Sequence, residues 1–274
     1  MIASLCSKDK NARACYNQTQ EGGIEMLLRY GLFVLVLVGA VLLGQWESSQ
    51  AQGTTVEIVS GGKTYPAYLA APSIEGRKPA IILLHSINGF EPGYKEITDR
   101  LMTEGFVTLS LQWQTYERTP HDNVLEQLLR DAIAYLRSRP DVHPDQIGLT
   151  GFCIGGRYTM LFLPLIEDFK AGVAWYGFPY SGGSANQPRR PAELIERLKA
   201  PMLILHGTAD RPSPIADIYR YATELDRANK YFELKVYQGQ PHSFMLQGGQ
   251  LAQTSVAFDA FREMVNFFNR MLRR

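Results

Sequence analysis

Gly151-Phe152-Cys153-Ile154-Gly155-Gly156 is the stretch of this sequence that decides the fold. The apolar segment 146–150 before it is typical of a buried strand, and apolar residues recur after it at helical spacing to about Ile166. A strand-to-helix turn with glycines flanking a nucleophile is a nucleophile elbow, and here cysteine occupies the nucleophile position. The alternative is an ordinary glycine-rich turn in which the cysteine is a small buried apolar residue.

Two candidate partners for this thiol follow later in the chain, Asp210 and His242. Each stands in a loop directly after a strand-like segment. Active-site residues of open parallel sheets collect at the carboxyl ends of the strands, so Cys153, Asp210 and His242 are expected to converge. Their order along the chain is nucleophile, acid, histidine. Taken singly, a loop aspartate or a histidine after proline is usually a turn or surface residue, so the prediction rests on all three. His206 is a candidate support for the acid loop.

The order of segments predicts one α/β domain over 52–274, with a mostly parallel sheet covered by helices on both faces. Segments 54–60 and 63–70 flank Gly61-Gly62, so an antiparallel N-terminal hairpin is expected. Further strands are predicted at 80–85, 106–112, 146–150, 171–176 and before Asp210 and His242, and helices near 93–104, 121–138, 192–198, 214–228 and 254–271 and directly after the Cys153 turn.

Three motifs together resemble those of the dienelactone hydrolase family: the Gly-Phe-Cys-Ile-Gly-Gly stretch, His-Gly-Thr-Ala-Asp at 206–210 and Pro-His-Ser-Phe at 241–244. The resemblance covers the chain from about residue 54 and implies an α/β-hydrolase fold with a Cys-His-Asp triad. The founding members of that family open a cyclic enol ester. Two positions depart from its pattern, because its thiol-engaging glutamate falls at Ser86 and its substrate-binding arginine at Leu246. The resemblance therefore implies the triad and not the lactone.

The predicted triad has a predicted mechanism. His242 would take the proton of the Cys153 thiol, or hold it as an imidazolium beside a thiolate, while Asp210 orients the imidazole. The backbone N–H groups of Ile154 and Ile87 are the predicted oxyanion donors. Because a thiol leaves a tetrahedral intermediate more readily than an alkoxide, the expected substrates are activated esters, lactones or thioesters.

Residues that would contact this small-molecule ester or lactone are predicted from their position after strands. Aromatic side chains there favour a partly aromatic pocket, with packing at the sheet edge as the alternative. Two polar residues before Gly89 either assist catalysis or shape the turn. An arginine after the elbow is a candidate for a substrate carboxylate, with surface solvation as the alternative. The candidates are Ser86, Asn88, Trp113, Tyr116, Arg157, Trp175, Tyr176 and Phe178.

The region 1–51 differs in kind from the remainder and is predicted to be an extension with a signal peptide. The apolar run 31–44 follows Arg29 and precedes a small-residue site, Ser49-Gln50-Ala51, which favours cleavage before Gln52. The run is shorter than the roughly 20 apolar residues of a spanning helix. The expected location is therefore periplasmic or secreted, and the alternative is a membrane anchor formed by 31–44.

Met26 is a candidate for the true start, with 1–25 as an upstream extension. Removal of the signal peptide would take Cys6 and Cys15 away and leave Cys153 as the one thiol. A lone thiol is exposed to oxidation outside the cell, so its presence there favours a functional role.

The composition limits the partners of the protein. The net charge of +1 and the lack of a basic stripe with interleaved aromatics argue against nucleic-acid binding. No metal and no cofactor are predicted, because the spacing of the histidines does not suit a metal site. The oligomeric state stays open. The alternatives to an exported hydrolase are an exported non-catalytic binding protein with the same fold and a membrane-anchored envelope interaction protein.

Overall fold

The computed structural model describes residues 52–273. The predictions made for 1–51, including the apolar run 31–44 and the start at Met26, lie outside the described residues. Within 52–273, no helix has both the length and the apolar character needed to cross a membrane.

The sheet begins with the predicted hairpin. Strands β1 (Thr54–Ser60) and β2 (Lys63–Ala70) pair antiparallel through their whole length. Gly61 and Gly62 form the turn with φ values of 56° and 76°. A two-residue hairpin turn that matches the strand twist needs positive φ at both central positions, which glycine adopts without a steric penalty.

The remaining six strands form the parallel part of the sheet. Strand β2 pairs antiparallel with β4, and every later neighbour pairs parallel. The spatial order is β1-β2-β4-β3-β5-β6-β7-β8. The fold class predicted from the sequence is confirmed. The six strands are β3 (Lys78–Leu84), β4 (Val107–Leu111), β5 (Val142–Phe152), β6 (Phe169–Trp175), β7 (Met202–Gly207) and β8 (Phe232–Tyr237).

Helices cover both faces of this sheet and divide the core into two clusters. One cluster contains the buried sides of α1 and α5, and the other contains those of α2, α3 and α4. Burying one apolar stripe of each helix on the sheet supplies most of the stabilisation, since such helices are marginal alone. The helices are α1 (Pro92–Thr103), α2 (Asp122–Ser138), α3 (Ile154–Phe162), α4 (Ile215–Arg227) and α5 (Ser255–Leu272), with a 3₁₀ helix at Pro191–Arg197.

Two features differ from the sequence prediction. Helix α3 ends at Phe162 rather than near Ile166, because Pro164 has no N–H to donate to the carbonyl four residues earlier. A short hairpin of β9 (Leu246–Gln247) and β10 (Gln250–Leu251) was not predicted. Its two-residue strands are too short for a recognisable alternation. The hairpin packs on the start of α1, where Gly93 N–H donates to the Gly249 carbonyl at 2.8 Å.

Candidate active site

The turn between β5 and α3 holds Cys153 in a strained conformation. Its φ of 58° and ψ of −116° lie in a region that non-glycine residues rarely occupy. A Cβ on Gly151 would lie 2.1 Å from the Gly155 carbonyl oxygen, and a Cβ on Gly155 would lie 2.3 Å from the Leu84 carbonyl oxygen. Neither glycine can therefore be replaced without moving the turn. The Cys153 N–H donates to the Trp175 carbonyl at 3.1 Å, which fixes the elbow to the end of β6.

The predicted acid and histidine are hydrogen-bonded to each other. His242 Nδ1 lies 2.7 Å from Asp210 Oδ2, and the Asp210 side chain is completely buried. The second carboxylate oxygen, Oδ1, accepts from the Ser213 backbone N–H at 2.8 Å. Because Oδ2 is an acceptor, the Nδ1 atom carries a proton, and Nε2 is the nitrogen left for the thiol.

The environment of His242 favours its charged form. Burial lowers the pKa of His242, but the hydrogen bond with Asp210 and the interaction with Cys153 outweigh burial and raise it to about 9. The Nε2 atom is buried and makes no hydrogen bond of good geometry within residues 52–273, so its interaction with Cys153 is electrostatic. The predicted residues Cys153, Asp210 and His242 are thus brought together by the fold.

His206 and Ser213 hold the acid loop in place. His206 Nε2 lies 2.8 Å from the Ser213 carbonyl oxygen and 3.5 Å from Asp210 Oδ2. Burial lowers the pKa of His206, which keeps the ring neutral and lets Nε2–H donate to the carbonyl. The Ser213 hydroxyl donates to the Gly177 carbonyl at 2.6 Å, which ties the loop to the chain beyond β6.

The two predicted oxyanion donors lie at adjacent chain segments. Ile154 is the first residue of α3, so its N–H has no acceptor within the helix. Ile87 stands in the loop after β3, and the close approach of Gly155 to Leu84 packs the start of α3 against the end of that strand. The Ile87 carbonyl accepts from Gln114 Nε2 at 3.2 Å, which restrains the loop. Their role as oxyanion donors stays a prediction.

Five of the predicted substrate contacts lie in or near the site. The rings of Tyr176 and Phe178 lie 5.0 Å and 5.4 Å from the His242 ring. The Ser86 hydroxyl is buried and accepts from the Asn88 N–H at 3.1 Å, a contact within the turn after β3. Asn88 and Tyr116 line an open groove beside the predicted oxyanion loop.

The other three predicted contacts do not fit that role. Trp113 and Trp175 are fully buried, and their indole N–H groups donate to the His85 carbonyl and the Thr150 hydroxyl. The Arg157 guanidinium is completely buried and pairs with Asp122 at 3.1 Å. These side chains are parts of the core, because each had an internal partner that single-sequence spacing does not reveal.

Two residues that the sequence did not identify contact Ser86 from the start of α1. Glu91 Oε2 lies 3.4 Å from the Ser86 hydroxyl, and the Tyr94 hydroxyl accepts from the Ser86 N–H at 3.2 Å. The only sequence signal for either is its place at the start of α1, directly after the loop that carries Ile87.

The fold and the site together define the α/β-hydrolase class. A crystal structure of a putative dienelactone hydrolase from Klebsiella pneumoniae superposes with a TM-score of 0.73 at 26% sequence identity, covering 80% of this chain and 98% of that chain. The family model described as "Dienelactone hydrolase family" matches residues 65–272. The chain belongs to the dienelactone hydrolase family and is an ester and lactone hydrolase, which confirms the resemblance seen in the sequence.

Two similar proteins have names that agree with the family assignment. The chain is 30% identical to the "Putative carboxymethylenebutenolidase" of Escherichia coli (strain K12), over 78% of this chain and 85% of the relative. It is 29% identical to the "Probable 2-oxo-3-(5-oxofuran-2-ylidene)propanoate lactonase" of a Bradyrhizobium species, over 69% of this chain and 82% of the relative. Both descriptions name hydrolases that act on lactones.

Proposed function

We propose that this hydrolase attacks the carbonyl carbon of activated esters, lactones or thioesters with the Cys153 thiolate. The observation that carries the proposal is the arrangement of His242. Its Nδ1 is held at 2.7 Å by the buried Asp210 carboxylate, and its Nε2 is buried without a hydrogen-bond partner in the described part of the chain. A ring held in this way can accept and return a proton at Nε2 only.

The reaction proceeds through two acyl-transfer steps. The Cys153 sulfur forms a bond to the acyl carbon, and the resulting oxyanion accepts hydrogen bonds from the N–H groups of Ile154 and Ile87. When the intermediate collapses, the carbon–oxygen bond breaks and the leaving oxygen takes the proton from His242 Nε2. A water molecule then gives a proton to Nε2 and attacks the thioester, and the thiolate leaves with the electrons of the carbon–sulfur bond.

The raised pKa of His242 suits this sequence of steps. With a value of about 9, the imidazolium of His242 persists at neutral pH. An imidazolium at Nε2 can protonate the leaving oxygen directly. Leaving groups that already tolerate negative charge, such as enolates, aryloxides and thiolates, need this protonation least, so activated substrates are the expected class.

A different residue, Leu246, bears on which acyl groups the enzyme prefers. The names of the two relatives describe lactone hydrolases, and a lactone is within the class of substrate proposed for this chain. Leu246, however, places an aliphatic side chain in β9 at the position that the family pattern gives to a substrate-binding arginine. An aliphatic side chain cannot pair with a carboxylate, so we propose that uncharged lactones and esters are preferred to those carrying a carboxylate.

The experiment compares hydrolysis of aryl esters, enol lactones with and without a carboxylate, and acyl thioesters. We expect the parent protein to turn over the activated neutral substrates, and Cys153→Ala to lose activity on all of them. Mass spectrometry of a quenched reaction should find the acyl group on the peptide that contains Cys153. Equal rates in the variant would remove Cys153 from the mechanism, and no turnover at all would favour the non-catalytic binding protein.

We also propose export of the protein, on the apolar run 31–44 and the small residues that follow it. N-terminal sequencing of the protein from cell fractions tests this proposal. A mature chain beginning at Gln52 in the periplasm or medium is the expected result. A chain that still contains 31–44 and needs detergent for release would support the membrane anchor instead.

A further inference from the structure

Tyr176 follows β6 directly and has a strained backbone. Its φ of 36° lies in the left-handed region, which disfavours residues with a Cβ. The Tyr176 N–H donates to the Leu205 carbonyl at 2.8 Å, so the end of β7 holds the residue in this conformation. Strain of this kind persists only where the surroundings enforce it, and it is concentrated at functional sites.

The Tyr176 ring is packed against the catalytic histidine. It meets the His242 ring edge-on, with centroids 5.0 Å apart and an interplanar angle of 64°. On its other sides it contacts Phe244 at 5.5 Å and Phe152 at 6.1 Å. Phe152 is the residue before Cys153, so the ring is confined between the elbow and the histidine loop.

The Tyr176 hydroxyl is fully buried and has no hydrogen-bond partner among residues 52–273. Buried hydroxyls almost always have a partner, because an unpaired one keeps the full penalty of leaving water. The neighbouring Tyr94 hydroxyl illustrates the usual case, since it accepts from the Ser86 N–H at 3.2 Å. The unpaired hydroxyl of Tyr176 thus fits a donor whose acceptor arrives with a ligand.

The charge state of this hydroxyl suits a donor. Burial, followed by the nearby Tyr94 and Cys153, raises the pKa of Tyr176 well above its ordinary value. The proton is therefore retained at every pH at which the enzyme would work.

We propose that Tyr176 is a further catalytic residue, whose hydroxyl donates a hydrogen bond to an oxygen of the acyl group that reacts at Cys153. The inference rests on the proposed function and adds to it a third donor, a side chain rather than a backbone N–H. No proton is transferred by Tyr176. The bond forms when the ester or lactone binds and is broken when the acid product leaves.

Tyr176→Phe tests the inference, because it removes one oxygen atom and leaves the packing of the ring. Loss of a donor to the reacting group predicts a fall of roughly 100- to 1,000-fold in kcat/KM and in the rate at which 4-nitrophenyl acetate acylates Cys153. The thermal midpoint should stay the same or rise, because the lost hydroxyl has no partner in the free protein. Tyr221→Phe is the matched control, a buried tyrosine on α4 in the opposite core cluster, and it should react at the parental rate.

Each outcome separates this inference from the proposed function. Acylation of Tyr176→Phe at the parental rate, while Cys153→Ala is not acylated, overturns the role of the hydroxyl and leaves the nucleophile intact. A clear fall in the thermal midpoint of Tyr176→Phe also overturns it, because the hydroxyl would then have an internal partner. A parent protein that is not acylated by any activated ester overturns the proposed function, and the role of Tyr176 with it.

Discussion

Asp122 and Asp210 are buried aspartates within residues 52–273, and the basic side chains that they bind differ in their remaining contacts. Asp122 pairs with Arg157 at 3.1 Å, and both side chains are completely buried. Asp210 pairs with His242 at 2.7 Å, and its carboxylate is equally buried. Arg157 also donates from Nε to the Ser181 carbonyl at 3.2 Å and from Nη2 to the Arg189 carbonyl at 2.7 Å.

His242 has no such second partner, because its Nε2 atom is buried without a hydrogen bond in the described residues. We call Asp122–Arg157 the closed pair, because its bonds tie two parts of the chain together. We call Asp210–His242 the open pair, because it leaves a proton-transfer atom available. Burial and charge alone therefore do not distinguish a structural ion pair from a catalytic one. Between these two pairs, the difference is the Nε2 atom of His242 without a partner, and the following experiments test this comparison.

The largest effect is expected where the open pair loses its acid. Asp210→Asn keeps the shape of the side chain but turns an acceptor into a donor, which favours the wrong tautomer of His242. We expect kcat to fall by about 10⁴-fold on an activated ester, as for the same change in other triads. The free energy of unfolding should change little by comparison. A rate within tenfold of the parent would show that Asp210 does not orient the histidine.

The closed pair should respond in the opposite way. Arg157→Met leaves the Asp122 carboxylate buried without its main partner, and breaking a buried pair in this way costs about 3–5 kcal/mol. Urea unfolding measures the loss, and the rate per folded molecule should stay near the parental value. A large fall in that rate with stability unchanged would return Arg157 to the site.

Removing both charges provides the control. Arg157→Met combined with Asp122→Leu deletes the pair without leaving a lone buried charge, and such replacements are often neutral. The double variant should therefore be more stable than Arg157→Met alone. Equal stability of the two would mean that packing, rather than charge, explains the single loss.

The sequence predicted the open pair, but it placed Arg157 of the closed pair in the substrate pocket. Strand ends and chain order were sufficient to bring Asp210 and His242 together, because parallel strands end at one edge of the sheet. Arg157 lies four residues after Cys153 on a helix that begins at the elbow, so its proximity was visible as well. Its partner was not, since Asp122 belongs to a different helix and no local pattern links them.

Fold prediction succeeded where the signal was local. Gly61-Gly62 predicted the first hairpin, and the helix predicted near 121–138 is present as α2. Strand β9 has only two residues, which carry no periodic pattern, so its pairing with β10 could not be predicted. The unpaired hydroxyl of Tyr176 is likewise a property of three-dimensional packing, although the position of Tyr176 after a strand had marked it as a candidate.

Replacing Cys153 is expected to lower the pKa of His242, which is a smaller effect than the losses of rate and stability above. It is raised to about 9 in the folded protein, above the ordinary 6.5, by Asp210 and Cys153 against the opposing effect of burial. Cys153→Ala removes one of the two causes, so an NMR titration of the His242 ring should find a lower value in the variant. An unchanged value would mean that the thiol does not interact with Nε2.

The same shift fixes the sign of a pH effect on stability. Because the folded pKa is raised above the unfolded one, this contribution is complete below about pH 6.5 and is lost as the pH rises through about 9. The thermal midpoint of the parent should therefore exceed that of Cys153→Ala by more at pH 6 than at pH 10. A difference that grows with pH would contradict the assignment.

The smallest effect is expected for His206, which supports the loop that carries Asp210. His206 does not reach Cys153 but donates to the Ser213 carbonyl at 2.8 Å, and Ser213 in turn binds Asp210. His206→Phe keeps an aromatic ring and removes the donor, which should cost about 1 kcal/mol of stability and up to about tenfold in kcat/KM. His206→Gln restores an N–H donor and should recover part of the rate.

A purely structural role of His206 would lower stability alone, whereas a positioning role acts through Asp210 and should also lower the pKa of His242. The NMR titration of that ring in His206→Phe therefore decides between the two, and an unchanged pKa would limit His206 to holding the loop.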